Sequence, residues 1–270
     1  MSDANPADAA RLRTIPLDAV PPDLRGGAVA IGTFDGVHRG HATLVQAAVA
    51  AAHRDGGKAL VLTFDPHPRT FFRPETPVFR LTPPAARARV MRALGLDAVV
   101  VATFDKAFSS LDPAAFERDV VAGSLGARRV IVGEGFRFGK GRAGTAEQLA
   151  ASGRDLGYTV DVMEPVADET GERISSSAIR EALGEGDIGT ANRLLGYRWF
   201  VIETVIAGQR RGRELGFPTA NLQMGDDFAL RHGIYAVTLT RPGGAPLPAV
   251  ASYGRRPQFD NGPPLPEGYV

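Results

Sequence analysis

The sequence predicts an α/β protein: a parallel sheet with helices on both faces, followed by a smaller, mostly β domain. Near-continuous apolar runs at 28–32, 59–64, 97–104, 128–133 and 159–166 alternate with helical patterns over 41–54, 83–94, 112–124 and 145–156. Strands that are apolar on both faces, with helices between them, belong to parallel sheets covered on both sides. The texture changes beyond Trp199, where 198–206 and 234–240 read as strands separated by glycine and proline turns, with no long helix. The first apolar run also opens directly onto G-T-F-D-G-V-H-R-G-H, residues 32–41, a glycine-rich corner between strand and helix. The domain boundary is placed near 186, giving domains 1–186 and 187–270.

A chain of 270 residues has room for two such domains. Hydrophobic residues at 44% and charged residues at 23% describe a globular, soluble protein. A net charge of +1 provides no basic field for nucleic acid. With no cysteine, disulfides, thiolate metal sites and a cysteine nucleophile are excluded, and the composition suits the cytoplasm. Residues 1–11 are polar and alanine-rich and do not read as a signal peptide. The apolar run 42–52 is interrupted by Gln46 and too short to span a bilayer, so no membrane partner is expected.

In chain order, residues 1–26 read as a mobile start and a proline-rich approach from Pro16 to Pro22. The first strand and turn follow. Gly32, Gly36 and Gly40 permit a tight turn and close approach of backbone to a ligand. His38 and His41 lie at the start of a helix whose Leu44, Val45, Ala48 and Ala52 recur at helical spacing. Exposed N–H groups and the helix dipole favour an anion there, so two imidazoles at that point make a phosphate site. The second strand ends in F-D-P-H-P, 64–68, a rigid turn that is either scaffold or a wall of the ligand site. In parallel sheets ligands bind outside the carboxyl ends of the strands. The chemistry is therefore expected in the loops 32–41, 65–82, 104–112, 133–145 and 167–180. Gly139, Gly141 and Gly144 satisfy G-x-G-x-x-G but begin six residues after their strand and in the fourth unit, so they read as a flexible basic loop instead of a dinucleotide fingerprint. I-S-S-S-A-I-R, 174–180, puts Ser175, Ser176 and Ser177 at a helix start with Arg180 one turn inside. One serine suffices as a cap, and three with an arginine favour an anion. That helix runs to about Leu183, and a shorter one ends at Leu195.

These motifs resemble a known family. H-x-G-H on the first strand-to-helix turn is the signature of nucleotidyltransferases with a Rossmann-like fold. The longer string from Phe34, Asp35 and Gly36 is similar to the bacterial bifunctional riboflavin kinase/FAD synthetases. P-T-A-N, 218–221, within G-R-E-L-G-F-P-T-A-N-L, resembles the riboflavin kinase signature, and Tyr253–Pro257 with Phe259–Asn261 resembles its flavin-side segment. The resemblance implies an FMN adenylyltransferase domain followed by a riboflavin kinase domain, the latter an antiparallel β-barrel. ATP, FMN and riboflavin are the implied substrates, with Mg²⁺ as cofactor. It assigns His38, His41 and Arg180 to adenylyl transfer, and Gly32, Phe34, Gly40, Ser175, Ser176 and Ser177 to ATP. Asp65, Phe136 and Arg255 are assigned to flavin, Thr219 and Asn221 to Mg²⁺ and nucleotide phosphate, and Glu267 to the kinase's base. The sequence departs from the family at Gly135, where relatives carry Asn or Asp, and at Gln258, where they carry Thr. It ends three residues after Glu267, where the family adds strands and a closing helix, so a truncated barrel with impaired kinase activity is expected. Another adenylyl- or cytidylyltransferase of the superfamily, or a non-catalytic flavin- or nucleotide-binding protein, stays open at this point.

Overall fold

Apolar runs of four to seven residues build the first part of the protein, seen in a computed structural model that describes residues 12–206, 219–225, 227–254 and 265–269. The elements begin with β1 (Arg13–Pro16), β2 (Ala28–Ile31), α1 (Arg39–Asp55), β3 (Ala59–Asp65), α2 (Pro68–Phe72), α3 (Pro84–Ala93) and β4 (Ala98–Thr103). There follow α4 (Lys106–Ser109), α5 (Pro113–Ala115), a π-helix (Phe116–Ser124), β5 (Arg129–Gly133), the hairpin β6 (Arg137–Phe138) and β7 (Gly144–Thr145), α6 (Ala146–Leu156) and β8 (Thr159–Met163).

The main sheet runs β1-β4-β3-β2-β5-β8 and is parallel throughout. All four residues of β2 are buried, as are the first five of β3, because helices cover both faces. On one face Val29, Ile31, Leu60, Leu62 and Val100 pack with the π-helix residues Val120 and Val121 and with Leu149 of α6. On the other, Ala30, Val61 and Val99 pack with Leu44, Val45 and Ala48 of α1 and with Met91 of α3. Each fully buried aliphatic side chain contributes about 1.5–3 kcal/mol against the entropy of ordering the chain. From β2 the chain progresses outward through β3 and β4, then returns to β5 beside β2. The strand order thus reverses between β2 and β5, where open sheets leave a crevice for ligands.

The structure departs from the sequence reading in several places. The expected mobile start contains β1, an edge strand in which Ile15 alone is buried. It exists through pairing with β4, Ile15 opposite Val100. The helix expected from 41 starts at Arg39, because the His38 side chain caps it. The helix expected over 112–124 is capped by Asp112, then widens into the π-helix. The glycine-rich stretch after β5 is an ordered hairpin, not a flexible loop. A Cβ at Gly144 would lie 2.7 Å from the Phe138 ring, so that glycine serves packing instead of phosphate.

The chain divides into two compact units, Met1–Ser176 with Leu194–Gly196, and Ser177–Arg193 with Tyr197–Val270. The boundary expected near 186 lies inside the second unit. That unit holds most of α7 (Ser176–Glu185) and α8 (Ile188–Leu195), then β9 (Val205–Ile206), β10 (Thr219–Leu222), β11 (Gly233–Leu239), β12 (Leu247–Gly254) and β13 (Leu265–Tyr269). The five strands form an antiparallel sheet in the order β11-β12-β13-β10-β9. Of the strand expected over 198–206 only Val205 and Ile206 pair, whereas 234–240 coincides with β11. Phe228 and Tyr253 meet edge to face at 5.1 Å, and the Tyr253 hydroxyl donates to the Phe228 carbonyl. The Arg231 amide and guanidinium donate to the Leu183 and Glu185 carbonyls at the end of α7. No helix among the described residues is long and apolar enough to cross a membrane.

Candidate active sites

The turn between β2 and α1 stands at the reversal of strand order. Phe34 and Val37 take positive φ values of 47° and 37°, and Gly36 takes 88°. For Phe and the β-branched Val such angles are strained and persist only where surrounding contacts hold them. The contacts are present. The Asp35 carboxylate, 5% exposed, accepts from the Leu81 and Thr82 amides at 3.2 and 3.0 Å. The Gly36 amide donates to Thr82 Oγ1 at 2.8 Å. The Asp35 carbonyl accepts from Ser176 Oγ at 2.7 Å, and the Thr33 carbonyl from Thr63 Oγ1 at 2.9 Å. A Cβ at Gly36 would lie 2.9 Å from Leu81, so the position needs glycine for its angle and for its space.

This frame delivers the histidines. His38 is the N-cap of the 17-residue α1, and its Nδ1 accepts from the His41 amide at 3.2 Å. With Nδ1 an acceptor, the neutral ring carries its proton on Nε2, a tautomer inferred from the hydrogen bond. The His41 ring stacks on His38 with centroids 3.7 Å apart and planes 15° apart. A Cβ at Gly40 would sit 3.3 Å from the His38 ring, so glycine leaves room for that stack. Phe34, expected at ATP, has no exposed surface; its ring packs 5.1 Å from that of His41 and beneath Gly32. Its part is to support the pair. Arg39 makes an ion pair with Glu169 at 2.8 Å, tying the first residue of α1 to the 167–173 turn.

Beside the turn, at the carboxyl ends of β3 and β4, phenylalanines form a band. Phe104 meets Phe64, Phe71, Phe72 and Phe108 with centroids 5.4–5.8 Å apart. Phe108 continues to Phe116, and that ring to Phe138, on which Phe136 stacks at 5.6 Å and 20°. Phe72 is 64% exposed, so the band presents an apolar surface to solvent. Asp65 stands at this edge in an ion pair with Arg80. Of the expected flavin residues, Asp65 and Phe136 therefore flank this band, and Arg255 lies outside the described residues. The sequence reading missed Phe71, Phe72, Phe104 and Phe108, for which the cue was their density around the second and third strand ends.

The serines open α7. Ser176 reaches the histidine turn through its hydroxyl; Ser177 and Arg180 follow on the same helix, within the second unit. In the β unit, Thr219 and Asn221 lie on β10, with Ala220 between them. Asn221 is 7% exposed, and its Oδ1 is buried with no hydrogen-bond partner among the described residues. A buried, unpaired acceptor costs stability unless something fills it. The sheet registers Asn221 opposite Glu267 of β13, bringing together two positions 46 residues apart that the family resemblance assigns to the kinase site. Residues 207–218, which include most of G-R-E-L-G-F-P, lie outside the described residues, as does 255–264.

Comparison with known proteins identifies two domains. A family pattern described as FAD synthetase matches residues 20–178, and one described as riboflavin kinase matches 195–270. A bifunctional riboflavin kinase/FMN adenylyltransferase of Escherichia coli K12 is 35% identical over 232 residues, covering 86% of this chain and 74% of that protein. Its namesake in Pseudomonas fluorescens is 36% identical over 236 residues, 87% of this chain and 75% of that one. The one in Listeria monocytogenes is 39% identical over 213 residues, 77% and 66%. A crystal structure described as a macrolide-efflux protein from Streptococcus pneumoniae superimposes with a TM-score of 0.79 at 30% identity, covering 95% of this chain and 84% of that one. With the histidine turn in the first matched region and the Asn221–Glu267 register in the second, the chain belongs to the family of bifunctional riboflavin kinase/FMN adenylyltransferases, and carries both an FAD synthetase and a riboflavin kinase domain.

Proposed function

We propose that the histidine turn joins ATP and FMN to give FAD and pyrophosphate, and that the β unit uses ATP to phosphorylate the ribityl hydroxyl of riboflavin. The carrying observation is the stacked His38–His41 pair on the N-terminus of α1, at the strand reversal and beside an exposed aromatic band. The turn and helix end suit phosphate. The band suits a flat, apolar ring system, which stacks on phenylalanine at about 1 kcal/mol per contact beyond its buried area.

In the adenylyl transfer an FMN phosphate oxygen bonds to the α-phosphorus of ATP while the bond from that phosphorus to the bridging oxygen of the β-phosphate breaks. Pyrophosphate carries off the electron pair. Little covalent work falls to the protein, so the rate comes from alignment and charge stabilisation. His38 donates through Nε2–H to a phosphate oxygen as negative charge builds. His41 braces that ring by stacking and places its own imidazole at the same phosphates. Ser175, Ser176, Ser177 and Arg180 hold the leaving β- and γ-phosphates, with Gly32 and Gly40 letting the nucleotide approach the backbone. Asp65 and Phe136 border the flavin.

Mg²⁺ accompanies ATP and, when bound, neutralises charge between the phosphates. Among the described residues no three His, Asp or Glu side chains gather into a metal site. This accords with a hard cation that keeps waters and phosphate oxygens as ligands and takes one or two from protein. In the kinase domain Asn221 Oδ1, buried without a hydrogen-bond partner among the described residues, fits such a ligand, with Thr219 on the same strand, β10. Glu267, in register with Asn221, takes the proton of the attacking riboflavin hydroxyl. ATP as co-substrate and the lack of cysteine in the sequence suit the cytoplasm.

Incubation with ATP, Mg²⁺ and FMN, followed by separation of the flavins, tests the first activity. FAD and pyrophosphate should rise in equal amounts. FMN consumed without FAD, or not consumed at all, would defeat the reading. Riboflavin in place of FMN tests the second activity in the same assay.

A further inference from the structure

Arg87, in the first turn of α3, is 7% exposed, and the adenylyl transfer derived above leaves it unused. Its Nη1 donates to Thr63 Oγ1 at 3.4 Å, its one side-chain hydrogen bond among the described residues. No carboxylate forms an ion pair with it among those residues. The two nearby acids are engaged elsewhere, Asp35 by the Leu81 and Thr82 amides and Asp65 by Arg80. Burial pushes the guanidinium below its ordinary value, while Asp35 and Asp65 pull the other way and Arg80 adds to the lowering. A buried cation held by one long bond weakens a fold, and an apolar side chain of similar volume would serve packing as well or better.

The hydrogen bonds show what the charge lies against. Thr63 Oγ1, which Arg87 holds, donates onward to the Thr33 carbonyl in the turn that leads to His38. Six and five residues before Arg87, Leu81 and Thr82 grip Asp35 from the same turn. The first turn of α3 and the segment before it thus hold the strained phosphate turn at both Thr33 and Asp35. We propose that Arg87 is a positioning residue of the adenylyl-transfer site: through Thr63 it holds the Thr33 carbonyl, and it supplies a fixed positive charge beneath the turn that receives the phosphates. The inference rests on the adenylyl-transfer reading. Arg87 touches neither substrate; it acts through the turn and through its field.

The test compares Arg87→Met and Arg87→Lys with wild type in the full chain. Thermal melts, FMN fluorescence titration and FAD formation with each substrate varied are recorded for all three proteins. Arg87→Met should melt at or above the wild-type temperature, since it removes a buried cation. Its kcat should fall about tenfold or more, with KM for FMN and ATP within about twofold, because an interaction made in the transition state is lost. Arg87→Lys restores the charge without the planar fork and should recover part of kcat. Wild-type turnover in Arg87→Met would overturn the proposal. So would a melting temperature that falls in step with activity, with Arg87→Lys no better than Arg87→Met, since that pattern marks a packing residue. No FAD from the wild-type chain would overturn the parent reading and this one with it.

Discussion

At the scale of single residues, His38 caps α1 through Nδ1, worth about 1 kcal/mol of stability. In the proposed adenylyl transfer it also stabilises phosphate charge, worth about 3 kcal/mol of barrier or more. His38→Ala should therefore lower the melting temperature by a few degrees but kcat for FAD by about hundredfold. His41→Ala keeps the cap and should lose activity with almost no change in the melt. Near wild-type FAD formation in both variants would show that the site is elsewhere. Arg180 is assigned to the leaving pyrophosphate, so Arg180→Ala should raise KM for ATP more than KM for FMN. Steady-state kinetics with each substrate varied decide this, and a selective loss of FMN affinity would reverse the assignment.

Elements show where the fold accepts a cost. The π-helix buries Glu117 at 2% exposure, with Oε1 lacking a hydrogen-bond partner among the described residues. Burial holds its carboxyl above the usual range, with a Ser152 hydrogen bond opposing, and pushes the nearby Tyr158 phenol up to about 12, with the Glu117 charge adding to it. A carboxyl raised on folding contributes stability while neutral at low pH. That stability is lost as pH rises through its folded-state value. Glu117→Gln keeps the shape and cannot ionise. It should melt higher than wild type at about pH 8, and the difference should vanish near pH 4, where both side chains are neutral. Melts across that range check it; a Gln variant less stable at the upper end would mean the ionised carboxylate has a partner.

On the scale of the whole molecule, the FAD synthetase and riboflavin kinase domains occupy different stretches of the chain, 20–178 and 195–270. Damage to one should leave the other working. Asn221→Ala removes the buried amide oxygen opposite Glu267 and should depress conversion of riboflavin to FMN by about tenfold or more, since the oxygen ligand proposed for the cation is lost. FAD formation from supplied FMN should be unchanged. Parallel assays with riboflavin and with FMN measure both, and equal losses in the two would show that the units depend on each other.

The amino-acid sequence by itself determined the features whose physics is local. Apolar runs between helical periods announced β2, β3, β4 and β5, because a strand buried on both faces must be apolar along its length. The run at 159–166 also holds a strand, β8, although it lies at the sheet edge with no buried residue. Glycines and histidines at one strand-to-helix corner announced the tight turn into α1, because glycine angles and a helix N-terminus act within ten residues. P-T-A-N likewise marked the resemblance to riboflavin kinases by its own residues, but not the strand β10 that begins at Thr219. Tertiary structure alone decided what depends on partners distant in the chain. β1 is a strand because β4 offers it an edge. Asp35 holds the turn because Leu81 and Thr82, 46 and 47 residues on, present their amides, and no pattern near Asp35 foretells them. Glu267 lies opposite Asn221 through a register spanning 46 residues, and Arg87 of α3 reaches the histidine turn through Thr63 of β3. Such pairs leave no periodicity in the sequence; their free energy arises only once the sheets have closed and removed water from between them.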